Sequence, residues 1–125
     1  MSIDILVVED EPSILDSLDF ILNRAGWNIK AVTDGEAAIQ AVAEHRPKVL
    51  VLDVMLPKKS GFEVLKHLRS QAQTRDLPIL LLTAKGQQQD RKTAEELGAS
   101  GFVTKPYSNS EVVDAVRQLM EQAAA

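Results

Sequence analysis

The sequence predicts an α/β fold in which a five-stranded parallel sheet is covered by helices on both faces. Extended apolar segments and helix-patterned segments alternate five times along 125 residues, with short connections between them. One extended segment, Val49-Leu50-Val51-Leu52, is apolar without a break, as a strand buried on both faces must be. Helix caps and stops fall at the junctions, and right-handed crossovers then join the strands into one sheet.

Ile3 to Val8 is a first strand, interrupted only by Asp4. Glu9-Asp10-Glu11-Pro12 ends it, and Pro12 suits the first turn of a helix. Ile14, Leu15, Leu18, Ile21, Leu22 and Ala25 then recur at helical spacing up to Gly26. Trp27 to Val32 is the second strand. Asp34 caps a second helix with a thin apolar face of Ala38, Ile39, Ala41 and Val42, closed by Pro47. The third strand carries Asp53 at its carboxyl end, with Pro57 beyond. Ser60 and Glu63 have capping-box spacing, opening a helix with Phe62, Leu65 and Leu68 inward. After a polar loop, Ile79 to Thr83 is the fourth strand. Gly86 to Leu97 reads as a helix of poor amphipathicity, burying only Ala94 and Leu97, so that the core holds it weakly. Ser100 to Thr104 is a short fifth strand, and Ser108 with Glu111 caps a last helix whose apolar face is Val112, Val113, Val116, Leu119 and Met120.

This length suits a single domain, expected over residues 1–125, with a core that needs no covalent staples. The absence of cysteine excludes disulfide, thiolate-zinc and thiol-nucleophile chemistry. Neither a basic leader with an apolar core nor a spanning run follows Met1, which leads us to expect a cytoplasmic protein with no membrane partner. A net charge of −4 argues against direct binding of nucleic acid phosphates. His45 and His67 stand in polar helical surroundings and suggest surface positions, not a shared metal site.

In a parallel sheet all strand carboxyl ends open onto one edge, where such folds place their ligands. Glu9 and Asp10, Asp53, Thr83 and Lys105 all fall there. Each alone has an ordinary explanation: Glu9 and Asp10 favour a helix dipole, Asp53 helps a turn, Thr83 ends a strand and Lys105 is a surface charge. Three acids crowding one edge is what those explanations do not predict. Close carboxylates raise one another's pKa unless a cation intervenes, and a hard divalent ion such as magnesium suits an all-oxygen site. Nucleotide and flavin sites want a glycine- or hydroxyl-rich turn after the first strand, whereas Glu9-Asp10-Glu11-Pro12 repels phosphate unless a metal lies between. A phosphatase with a nucleophilic aspartate would want a second acid two residues on, where Met55 stands.

Val7-Val8-Glu9-Asp10-Glu11-Pro12, Leu52-Asp53-Val54-Met55-Leu56-Pro57, Leu82-Thr83-Ala84 and Thr104-Lys105-Pro106 together resemble the receiver domain of bacterial two-component response regulators. The likeness covers the whole chain, with the motifs in the family's order. It implies a flavodoxin-like three-layer (βα)5 sandwich with strand order 2-1-3-4-5, as in chemotaxis receivers. It further implies that Asp53 accepts a phosphoryl group from the phosphohistidine of a sensor histidine kinase or histidine phosphotransfer protein. By the same resemblance Asp10, Asp53 and the Met55 carbonyl ligate magnesium, or manganese in its place, with Glu9 acting through water. Lys105, Thr83 and Ala84 contact the phosphoryl group, Gly61 follows the acidic-site loop, Met55 and Lys85 flank the site where phosphoryl lifetime is tuned, and the Lys105-Pro106 bond is cis. Thr83 and Phe102 form the switch, although a phenylalanine lacks the hydroxyl of the tyrosine common at that position. Output passes through helix four, strand five and helix five to a downstream effector protein or an attached output domain. A homodimer formed on phosphorylation is also implied; Arg91 and Glu111 resemble part of its charged set, while Gly101 and Ala115 replace expected charges.

Two other readings belong to different classes. A phosphorylation-independent interaction module keeping only the fold need not retain all five polar site residues. A hydrolytic enzyme would need a substrate pocket signature, and the sequence has neither a serine–histidine pairing of nucleophilic type nor a glycine-rich phosphate loop.

Overall fold

The computed structural model describes residues 3–83 and 88–124. Strands and helices alternate as β1 (Ile5–Val8), α1 (Pro12–Arg24), β2 (Ile29–Val32), α2 (Gly35–His45), β3 (Val49–Asp53), α3 (Gly61–Ser70), β4 (Ile79–Thr83), α4 (Gln88–Leu97), β5 (Gly101–Thr104) and α5 (Asn109–Ala124). All strand pairs are parallel, in the order β2-β1-β3-β4-β5. This is the expected flavodoxin-like sandwich.

Residue alternation along the strands divides the core into two layers. Leu6, Val8, Leu50, Leu52, Ile79 and Leu81 pack with Ala38, Ala41 and Val42 of α2, with Val64, Leu65 and Leu68 of α3, and with Ala94 of α4. Ile5, Val7, Val49, Val51, Leu80, Leu82 and Val103 pack on the other face against Leu18, Ile21 and Leu22 of α1 and Val112, Val116 and Leu119 of α5. The continuous apolar runs of β1, β3 and β4 follow from this double coverage, since their side chains meet helices on both faces.

Local signals act as the sequence suggests. Pro12 stands at the start of α1, with the Glu11 carboxylate accepting from Ser13. Asp34 accepts from the Ala37 amide at 2.8 Å. Ser60 and Glu63 bond reciprocally, as do Ser108 and Glu111. The strands are shorter than the apolar runs predict. Asp4 stays outside β1 because its carboxylate accepts from the Asn28 amide and lies 3.4 Å from Lys48, while its carbonyl takes the Lys48 and Val49 amides. Ser100 stays outside β5, its hydroxyl taken by the Ile79 amide and Arg69. Phe62 is only half-buried and Val64 fills the core place beside Leu65. The expected start of α4 at Gly86 lies outside the described residues. Within α4, Ala94 is fully buried and Leu97 half-buried, which matches its sparse apolar face.

Gly61 positions α3 against the end of β3. A Cβ there would fall 2.3 Å from the Asp53 carbonyl oxygen and 2.8 Å from the Val54 Cα, while the Gly61 amide donates to the Val54 carbonyl at 2.9 Å. Backbone atoms cannot give way as a side chain does. Gly61→Ala is expected to cost about 1–3 kcal/mol, the usual range for overpacking. Denaturant unfolding measures it; a loss within about 0.5 kcal/mol, the ordinary spread of surface changes, would show that the loop absorbs the methyl.

Candidate functional site

The carboxyl ends of β1, β3, β4 and β5 bring together the polar residues that the sequence placed there. Glu9 directly follows β1 and is 1 % exposed; Asp53 closes β3 at 2 %; Thr83 closes β4 at 1 %. These three are the buried polar side chains among the described residues. Asp10 is exposed at the rim. Glu9, Asp10 and Asp53 each offer a carboxylate oxygen, and those oxygens lie within 4.8 Å of one another.

One ammonium answers this crowd. Lys105, just beyond β5, reaches over β4 to place Nζ 2.8 Å from Asp53 Oδ2 and 3.5 Å from Glu9 Oε1. The remaining carboxylate oxygens turn to the backbone: the Met55 amide donates to Asp53 Oδ1, and the Glu11 amide to Glu9 Oε2, each at 3.1 Å. Burial pushes the Glu9 carboxyl up to about 7, helped by its hydrogen bonding and repulsion with Asp53 and opposed by the Glu11 amide and Lys105. Burial alone would lower the Lys105 ammonium, but its hydrogen bond and attraction to Asp53, and then to Glu9, hold it above its usual value. Burial raises Tyr107, close by on the β5–α5 connection.

The donor set fits a hard cation. Three carboxylates against one ammonium leave an excess of negative charge, every candidate ligand is an oxygen, and Asp10 keeps the site open to solvent. A divalent ion would offset both the burial of the Glu9 carboxylate and its repulsion with Asp53, which together raise the Glu9 pKa. His45 and His67 take no part in a metal-binding cluster among the described residues.

The other predicted positions are distributed around this centre. Met55 follows it in the β3–α3 loop with its side chain 72 % exposed. Phe102 lies half-buried on β5 against the α2–α3–α4 layer, and the Arg91 guanidinium stacks over its ring at 4.5 Å from the centroid. The Lys105–Pro106 peptide is cis. Ala84 and Lys85 lie outside the described residues. Thr104, read in the sequence only as part of its Thr-Lys-Pro motif and with no role of its own, has its hydroxyl 3.5 Å from that of Thr83 across the β4–β5 pair. Its signal was the Thr-Lys spacing at the end of the fifth strand, but only the register shows which residue it faces. Likewise, Arg91 was readable as a charge on α4, not as a cap on an aromatic.

The response regulator receiver domain model matches residues 5–117. The chain is 42% identical over 123 residues to the alkaline phosphatase synthesis transcriptional regulatory protein PhoP of Bacillus subtilis, covering 98% of this chain and 50% of that protein. It is 38% identical over 118 residues to the phosphate regulon transcriptional regulatory protein PhoB of Escherichia coli, covering 94% of this chain and 52% of the relative. The chain thus spans about half the length of these curated relatives. Among solved structures, the receiver domain of the sensor histidine kinase PA1611 of Pseudomonas aeruginosa, with a magnesium ion coordinated in its active site cleft, superposes with a TM-score of 0.88 at 26% identity, over 97% of this chain and 99% of that one. A family match over nearly the whole chain, joined to the five-stranded order and the acidic edge with its lysine, makes this protein a member of the response regulator receiver domain family.

Proposed function

We propose that this receiver is the phospho-accepting switch of a two-component phosphorelay and that Asp53 is its phosphoacceptor. The observation that carries this reading is the Lys105–Asp53 contact of 2.8 Å inside a cluster of three carboxylates. Asp53 is held still at the end of a buried strand, so its carboxylate is preorganised for in-line attack. The P–N bond of a donor phosphohistidine breaks as a P–O bond forms to Asp53, and the imidazole leaves with the bonding pair. Glu9, Asp10, Asp53 and the Met55 carbonyl are the groups that would hold magnesium, or manganese in its place, Glu9 acting through water. Bound there, the ion supplies positive charge that neutralises the transferring phosphoryl oxygens. Lys105 passes from the Asp53 carboxylate to a phosphoryl oxygen as a point charge. Thr83 donates its hydroxyl to the phosphoryl group, and Ala84 is the small residue that leaves room for it.

The donor is a sensor histidine kinase or a histidine phosphotransfer protein, and the setting is cytoplasmic; none of the described helices is long and apolar enough to cross a membrane. Residues 1–125 form one receiver domain. Its α4–β5–α5 face, with Phe102 as the switching aromatic, communicates with an effector or with an output domain of the kind that the longer relatives leave room for. A homodimer formed on phosphorylation is a further partner of that face. No direct nucleic acid contact is assigned to this domain, and slow loss of the phosphoryl group to water resets it.

Incubation with magnesium and a small phosphodonor should add a single phosphoryl group, read by intact mass, and Asp53→Asn should accept none. An adduct that persists on the Asn variant would sink the assignment. The raised Glu9 carboxyl sets a second outcome. In chelator the folded state keeps a proton on Glu9 that the unfolded chain loses near 4.5, so its contribution to stability is full below pH 4.5 and is lost as pH rises through about 7. Thermal unfolding in chelator should therefore show stability falling between pH 5 and 8, and Glu9→Gln should flatten that fall. A slope unchanged in the Gln variant would assign it to another group.

A further inference from the structure

Thr83 and Thr104 face one another in register at the ends of β4 and β5, on the side of the sheet that carries α4. Thr83 is 1 % exposed, so water does not compete freely for its hydroxyl. Among the described residues its hydroxyl has one partner, Thr104 Oγ1 at 3.5 Å, long for a hydroxyl pair and therefore weak. The backbone around it is held: the Lys105 amide donates to the Thr83 carbonyl at 2.7 Å, and the Val54 amide to the Leu82 carbonyl at 3.1 Å. With the chain fixed, Thr83 changes the aim of its hydroxyl chiefly by rotating χ1 between staggered wells. A threonine hydroxyl has a single proton to donate. Either hydroxyl can be the donor of the Thr83–Thr104 contact; where Thr83 donates, its proton is turned to Thr104 and not to a phosphoryl oxygen on Asp53.

We propose that Thr104 is a positioning residue that holds the Thr83 hydroxyl in its resting direction and so sets how readily Thr83 turns to the phosphoryl group. The inference rests on the phospho-accepting role of Asp53 and deepens it. Thr104 touches no reacting atom; it acts through Thr83. A weak contact suits that task, because a full-strength bond in a buried site would oppose the turn more strongly, while no contact would leave the resting direction undefined.

Thr104→Val keeps the branched shape and removes the competing hydroxyl. Beryllofluoride with magnesium serves as the phosphoryl mimic, its affinity measured by titration calorimetry on the whole chain. Thr104→Val should tighten beryllofluoride binding by about 2- to 10-fold, the equivalent of one modest hydrogen bond lost from the resting state alone. Thr104→Ser should return the affinity to that of the parent, and the Val change should have no effect in a Thr83→Val background. Magnesium binding without beryllofluoride should stay the same, a control that general loosening of the fold would fail. Unchanged or weaker beryllofluoride binding in Thr104→Val would overturn the inference, weaker binding showing that Thr104 supports Thr83 in the phosphoryl-bearing state. If the parent chain itself takes up no beryllofluoride, the phospho-accepting reading falls, and this inference with it.

Discussion

Lys105 crosses one strand, β4, to reach Asp53, and the rest of the site is arranged around that ion pair. Without an ammonium there, Glu9 and Asp53 would face each other buried and uncompensated, a costly arrangement in a medium that screens charge poorly. With it, one carboxylate is paired, and the burial of Glu9, with the repulsion that remains, favours a proton on Glu9 or a cation beside it. The same pair therefore preserves the fold at the sheet's edge and keeps the site ready for positive charge. Its geometry depends on β4 lying between β3 and β5, since the lysine must span one strand and no more.

The packing divides the molecule into parts held with different strength. β1, β3 and β4 are buried on both faces and fix the positions of Glu9, Asp53 and Thr83. Among its described side chains α4 buries one fully, Ala94, and it is tied near its carboxyl end, where Arg69 donates to the Gly98 carbonyl and to the Ser100 hydroxyl. Elsewhere its contact with the sheet includes the stacking of Arg91 on Phe102. An element with so little apolar burial rearranges at small cost, whereas the strands beneath it do not. The acidic cluster thus stands on rigid strands next to a helix that the core holds with little apolar surface.

Phe102 is anchored by chemistry other than a hydroxyl. A tyrosine there would have a hydroxyl to anchor it; this ring has a guanidinium over its face instead. The interaction links α4 to β5 without requiring a hydrogen-bonding partner on the aromatic.

The alternation of apolar runs and caps was enough to give the fold class and the starts of α1, α2, α3 and α5, because burial on both faces and capping are local in their demands. Asp4 and Ser100 look like strand residues by pattern and are not, since their polar groups find partners distant along the chain. The candidate site divides in the same way. Glu9, Asp10, Asp53, Thr83 and Lys105 were legible from the sequence, because every strand end in a parallel sheet faces one edge and the residue types there are unusual together. What only the tertiary structure decided is who meets whom: that Glu9 is buried and Asp10 is not, that Lys105 reaches both Asp53 and Glu9, that Thr104 faces Thr83, and that Arg91 covers Phe102. Those pairings follow from strand order and register, which are set by the packing of all five helices at once and leave no mark in any single segment.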